Sequence, residues 1–214
     1  METDCSLLNL IKELYPICRS ITGEGVRETL RIIQKRIPLE MQEIPSGTKV
    51  FDWTVPLEWN VSDAYVMNRE GKRVIDFQSH NLHLMSYSVP VRKKMTLEEL
   101  RPHLFSLPAH PEWIPYRTSY YKENWGFCMR HVDFEELSDE EYDVVIDSTL
   151  QAGSLTYGQL YLPGETSDEV LVSCHVCHPS LCNDNLSGIT VAVKLAETMA
   201  ACPRRYSYRF LFIP

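Results

Sequence analysis

The chain has 214 residues, 44% of them hydrophobic, enough to bury a core in one large domain or two smaller ones. A net charge of −8 with scattered basic residues argues against a nucleic-acid partner, because phosphate binding needs clustered Lys and Arg. No stretch approaches the roughly 18 to 20 apolar residues that span a bilayer, and the start METDCSLLNL is acidic where a secretory signal is basic, so no membrane partner and a cytoplasmic location are expected.

Over residues 6–37, Leu7, Leu10, Ile11 and Leu14, then Val26, Leu30 and Ile33, recur at three and four, which predicts two amphipathic helices. The break falls at 20–25, where two glycines and the cap candidate Thr22 interrupt the pattern, and Pro38 ends the second helix. The next hundred residues change character. Segments 50–55, 64–67, 73–77 and 82–87 are expected as short strands, with Asn68-Arg69-Glu70-Gly71 as a turn. Arg92-Lys93-Lys94 is expected as a solvated turn. Between 102 and 127, prolines alternate with aromatics such as Trp113, Tyr120 and Trp125, a composition ordered by packing rather than by regular structure. Glu135, Glu136, Asp139, Glu140 and Glu141 form an acidic run of the kind that is usually a solvated face. Strands over 143–150 and 155–162 follow. The apolar run Val170-Leu171-Val172-Ser173 then predicts a buried strand, 187–201 a helix and 206–213 another strand, together a βαβ unit. The chain divides accordingly into N-terminal helices (1–48), a β-rich inserted domain (49–162) and the start of an α/β core (163–214). The seven cysteines, Cys5, Cys18, Cys128, Cys174, Cys177, Cys182 and Cys202, are odd in number and scattered, as reduced thiols would be.

Residues 173–188 lie between the predicted strand and helix, outside the carboxyl end of the strand, where ligand sites form in open α/β sheets. Within 174–184 stand two imidazoles, three thiols and one carboxylate, all groups that bind zinc. One ligand set is Cys174, Cys177, Cys182 and a histidine, although structural zinc usually takes two knuckles separated by a longer loop. Another is His175 at the strand's end and Asp184 at the helix's start, with the carboxylate bridging two cations. A third reading has no metal: Asp184, Asn185 or Ser187 caps the helix in a tight turn. A Cys177 nucleophile activated by His178 is disfavoured, because sequence neighbours in a loop rarely point at each other. His80, His83, His103, His110 and His131 are expected as packed or surface residues, His80 and His83 being spread to different faces by strand and turn.

The run from Val170 to Gly188 resembles the region of co-catalytic zinc aminopeptidases in which an apolar strand ends in a histidine and Asn-Asp-Asn-x-Ser-Gly opens a helix. The variant His-x-Cys-His-Pro-Ser-x-x-Asn-Asp-Asn-Leu-Ser-Gly resembles more closely a bacterial group of aminopeptidase-like proteins, found near polysaccharide-biosynthesis genes, whose peptidase domain carries an inserted β-rich domain. The resemblance implies an α/β fold, an incomplete mixed sheet with flanking helices, and a zinc-dependent hydrolase acting on a peptide or small amide. A complete version would hold two zinc ions that polarise the carbonyl and supply a hydroxide. His175 would be a ligand of one zinc and Asp184 the bridging ligand. Cys177 stands where the peptidases have an aspartate that orients the histidine, so His178 either stands in for the missing group or is itself the ligand. In the family the general-base glutamate and the remaining ligands follow a strand like 206–213. No catalytic residue is therefore expected within this chain, which reads as a truncated N-terminal half, with an oligomer or partner chain covering its open sheet edge. The alternative function is a non-catalytic binding or scaffold module in surface-polysaccharide assembly, built on the same fold.

Overall fold

The computed structural model describes residues 5–138 and 141–214, so the opening Met1 to Asp4 and Asp139 and Glu140 of the acidic run lie outside the described residues. In chain order come helices α1 (Cys5–Leu14) and α2 (Glu24–Gln34) and strands β1 (Glu40–Pro45), β2 (Lys49–Val50), β3 (Trp53–Thr54), β4 (Glu58–Met67), β5 (Arg73–Asp76) and β6 (Val91–Thr96). Short helix α3 (Leu97–Leu100), strands β7 (Leu104–Phe105) and β8 (Phe127–Cys128) and helix α4 (His131–Glu135) follow. The chain closes with β9 (Glu141–Gln151), β10 (Ser154–Leu162), β11 (Glu169–His175), α5 (Ser187–Ala200) and β12 (Ser207–Ile213). These elements form two compact units, one of residues up to Glu58 with Ala152–Pro214, the other of Trp59–Gln151.

The first unit is a four-stranded mixed sheet in the order β1-β10-β12-β11. β10 runs antiparallel to both its neighbours, and β11 and β12 are parallel, joined by α5 as a βαβ crossover. Alternation explains the faces: Phe210 and Phe212 of β12 are wholly buried, and Leu160 of β10 is paired with Phe210 across the ladder. Onto them pack Leu10 and Leu14 of α1, Val26, Leu30 and Ile33 of α2, and Ile189, Val193 and Ala196 of α5, the apolar stripes their spacing predicts. Helix α2 starts after Gly23, whose φ of 98° only glycine adopts freely, and not on a side-chain cap from Thr22. Because β10 is held between β1 and β12, residues 154–162 stand in this sheet, whereas the sequence reading groups them with the insertion.

The second unit is built on a sheet ordered β5-β4-β9-β6. The expected turn at Asn68 closes a hairpin, with Gly71 at φ 79°. Three segments of this unit differ from what their sequences predict. Arg92 to Lys94 are not a turn but the middle of β6, paired with β9 at the end of the sheet, where exposed basic side chains discourage further strand addition. Segment 82–87 is not a strand: Asn81–His83 make one 3-10 turn, and Met85 and Ser86 then donate backbone bonds to Gly126 and Arg117. Leu82, Leu84, Met85 and Tyr87 are all buried there without alternation, so an apolar run alone misreads the backbone. His80 and His83 are not spread to different faces, because that turn brings their rings to 6.3 Å, with His83 Nδ1 bonded to the Cys128 carbonyl. The residues around 50–55, in the first unit, form a two-rung hairpin, with Phe51 at positive φ in its turn.

Candidate metal centre

The β11–α5 connection assembles the site. Parallel pairing with β12 runs to the last residue of β11, so His175 is placed by the ladder itself, paired with Ile213. After a loop of residues 176–181, the segment Cys182–Leu186 makes a wide, irregular turn in which Asp184 and Asn185 have non-helical φ/ψ, and the Asp184–Asn185 peptide is cis. Helix α5 begins at Ser187 after Leu186 and has no side-chain cap. The capping role expected of Asp184, Asn185 or Ser187 is therefore not seen. Asn185 instead donates to Cys174 Sγ at 3.4 Å, holding the turn against the end of β11.

The turn carries Asp184 back to the strand's end. His175 Nε2 lies 2.7 Å from Asp184 Oδ1, and His178 Nε2 lies 3.8 Å from Asp184 Oδ2. One donor atom from each of these three residues falls within 4.8 Å of the other two, and no other such group occurs among the described residues. The two imidazole rings are tilted 47° to one another with centroids 4.8 Å apart. The Asp184 side chain is 62% exposed and that of His175 42%, so the cluster opens to solvent. The thiols stand differently. Cys174 and Cys177 are buried and Cys182 is exposed, and they do not gather with a histidine into a thiolate-rich site.

Contrary to the sequence expectation, Cys177 and His178 do point at each other, with Sγ 3.1 Å from Nδ1. The pair is still a poor nucleophile, because burial pushes the Cys177 thiol up to about 11 and leaves it protonated at neutral pH. Burial likewise raises Cys174 to about 11. Burial lowers the His178 pKa against the opposing pull of Asp184, favouring the neutral imidazole that metals bind.

One residue the sequence reading passes over is Arg19, the bulkiest of the wholly buried side chains. Its Nε donates to the His178 carbonyl at 3.0 Å and its Nη1 to the Leu14 carbonyl at 2.6 Å. Burial pulls its pKa down to about 10, against the charges of Cys18, Cys177 and Glu28, so the guanidinium stays charged at neutral pH. The signal for it was a lone arginine in the apolar run Ile17-Cys18-Arg19-Ser20-Ile21, too weak to separate from a surface residue.

A mixed sheet with a βαβ crossover and a polar cluster at the parallel strand's end makes this an α/β protein whose fold is shared by aminopeptidases. A zinc aminopeptidase from Bacillus subtilis shares this fold with a TM-score of 0.60 at 10% identity, over 97% of this chain and 59% of that one. A peptidase M28 precursor from Shewanella amazonensis does so with a TM-score of 0.59 at 9% identity, over 96% of this chain and 62% of that one. The chain belongs to the family described as domain of unknown function DUF4910, which it matches over residues 8–214. It is 59% identical over 213 residues to a Clostridium acetobutylicum protein whose name pairs polysaccharide biosynthesis with an aminopeptidase-like domain, covering 100% of this chain and 49% of that protein. A crystal structure from Clostridium acetobutylicum, provisionally classed as a peptidase, matches with a TM-score of 0.98 at 59% identity, over 100% of this chain and 50% of that one. The chain thus spans about half the length of these two relatives. No helix among the described residues is long and apolar enough to cross a membrane.

Proposed function

We propose that His175, His178 and Asp184 form the part of a zinc site that this chain contributes to an aminopeptidase-like hydrolase. The observation that carries the reading is the convergence of these three residues, from a strand end, a loop and a turn, to within 4.8 Å. Ligand atoms about 2.1 Å from a tetrahedral zinc lie about 3.4 Å from one another, and one donor atom from each of the three residues falls within 4.8 Å of the other two. Two imidazoles and a carboxylate are donors that zinc accepts. His175 supplies a rigid donor and Asp184 the negative charge that offsets a cation. The two Asp184 oxygens face different imidazoles, Oδ1 toward His175 and Oδ2 toward His178, so the carboxylate is placed to bridge two cations. Zinc held there supplies Lewis acidity toward a carbonyl and lowers the pKa of a bound water. The resemblance puts the general base and the remaining ligands in the part of the longer relatives outside this chain, so peptide or amide hydrolysis is proposed for such a longer protein.

Equilibrium dialysis against zinc tests the site. Zinc is expected to bind the chain, and at least about tenfold more weakly after Asp184→Asn, which removes the charge and keeps the shape. Equal binding by both proteins would sink the assignment. A second reading, a binding or scaffold role in surface-polysaccharide assembly, is favoured by Cys177. It turns to His178, where the peptidases use an aspartate to orient the strand-end histidine. The two readings separate in a longer protein that includes this chain: the enzyme releases N-terminal residues from small peptides and loses this on chelation, and the scaffold does neither.

A further inference from the structure

His175 and His178 are held by different means. His175 ends a strand and inherits its position from the β11–β12 ladder. His178 lies in the loop of residues 176–181, where no helix or strand fixes it. Its Nε2 nevertheless stands 3.8 Å from Asp184, so other contacts must hold the ring.

Two are visible. The Cys177 sulfur lies 3.1 Å from Nδ1, which occupies that nitrogen and leaves Nε2 turned toward Asp184. Metal binding at Nε2 requires the proton on Nδ1, donated to sulfur, the arrangement by which a histidine's outer nitrogen is usually held in metal sites. Arg19 grips the backbone of the same residue through the 3.0 Å bond from Nε to the His178 carbonyl. Its other end is anchored in the helices. Nη1 donates to Leu14, the last residue of α1, and lies 3.5 Å from Thr29 Oγ1 of α2. The carbonyls at a helix C-terminus carry partial negative charge and lack partners within the helix, so a cation there is well matched. Ser180 Oγ adds a second tie from the loop to the same region, donating to the Tyr15 carbonyl at 2.9 Å.

Burying a guanidinium carries a large desolvation cost, and an apolar side chain would fill the volume without it. What Arg19 adds over such a side chain is a directed bond to the loop.

We propose that Arg19 is a positioning residue: anchored on the C-terminal end of α1 and the middle of α2, it holds the His178 backbone so that the imidazole, oriented through Cys177, meets Asp184. The inference rests on reading His175, His178 and Asp184 as a metal site. It makes the strength of that site depend on a buried side chain that touches no ligand atom.

The test is zinc affinity, with cobalt(II) absorption as a report on coordination, for wild type, Arg19→Met, Arg19→Lys, His178→Ala and the Arg19→Met/His178→Ala double variant. Arg19→Met is expected to weaken zinc about tenfold, the size of effect seen for residues that orient ligands. In the His178→Ala background the same change is expected to add nothing, because its effect runs through His178. Circular dichroism and thermal unfolding verify the fold. Should Arg19→Met not fold, Arg19→Lys, which keeps the charge but loses the fork, carries the comparison. In the metal-free protein, ¹⁵N shifts of His178 are expected to show a single tautomer in wild type and in Cys177→Ser, and a tautomer mixture in Cys177→Ala and Arg19→Lys.

Unchanged affinity in the folded Arg19 variants, with His178→Ala weakened, would overturn the positioning role and leave the metal site standing. Additive losses in the double variant would overturn it equally. Binding that is indifferent to both His178→Ala and Asp184→Asn removes the metal reading, and this inference with it.

Discussion

Asp184 is the residue on which the site turns, since its two oxygens reach both imidazoles. The neighbouring thiols are sorted by burial, and their reactivity follows. Cys174 and Cys177, with pKa values raised to about 11, hold almost no thiolate at pH 7, whereas Cys182 and Cys202 are exposed. Timed alkylation read by mass spectrometry is expected to label Cys182 and Cys202 before Cys174 and Cys177. Early labelling of Cys177 would revive it as a nucleophile. In the second unit, burial lowers the pKa of His80, reinforced by the charge of His83, and burial also lowers that of His83. As pH falls through about 6.5 the unfolded chain takes up these protons before the folded one does. The stability contribution is therefore complete above that pH and is lost as the pH falls toward the depressed folded values. A lower thermal midpoint at pH 5.5 than at 7.5 is expected, with a smaller difference in His83→Gln.

At the scale of elements, the position of α2 depends on a close approach. A Cβ on Gly25 would lie 1.9 Å from the Cys18 carbonyl oxygen, a backbone atom that cannot step aside. Gly25→Ala must push α2 away from the segment that carries Arg19, at an expected cost of about 1–3 kcal/mol or more, seen as a lower urea midpoint with unchanged slope. Strand β12 is the other keystone, because Phe210 and Phe212 carry the centre of the core beneath α1, α2 and α5. Phe210→Ala is expected to destabilise by about 3–5 kcal/mol. A loss below 1 kcal/mol would mean that the sheet is not packed as described.

At the scale of the whole molecule, the first unit's sheet has two unlike edges. β1 offers Glu40, Glu43 and Pro45 along its length, features that discourage pairing with another strand. β11 pairs only with β12 among the described residues and exposes Val170 and Leu171, the latter 59% accessible, while α5 exposes Val191 and Leu195. Such an edge recruits strands. The chain is expected to self-associate with rising concentration in sedimentation velocity, and Leu171→Lys to shift the distribution toward monomer. Identical behaviour of the two proteins would remove β11 as the contact.

Much of this was legible in the sequence because it is periodic or local. Helical spacing marks α1, α2 and α5, alternation and apolar runs mark β9 to β12, and the crowding of His175, His178 and Asp184 into ten residues marks the site before any contact is known. Other features depended on partners distant in the chain. The buried run at 82–87 takes an irregular path because residues 117–126 accept its backbone bonds, and Arg92 to Lys94 became an edge strand because β9 lay beside them. Arg19 is the sharpest case: nothing near it in sequence distinguishes it from a surface arginine, and its bond to His178 spans 159 residues. Sequence by itself determined which chemistry the loop could hold. Only the tertiary structure decided which atoms meet, because side-chain direction in a loop is set by contacts that close over long separations and not by local pattern.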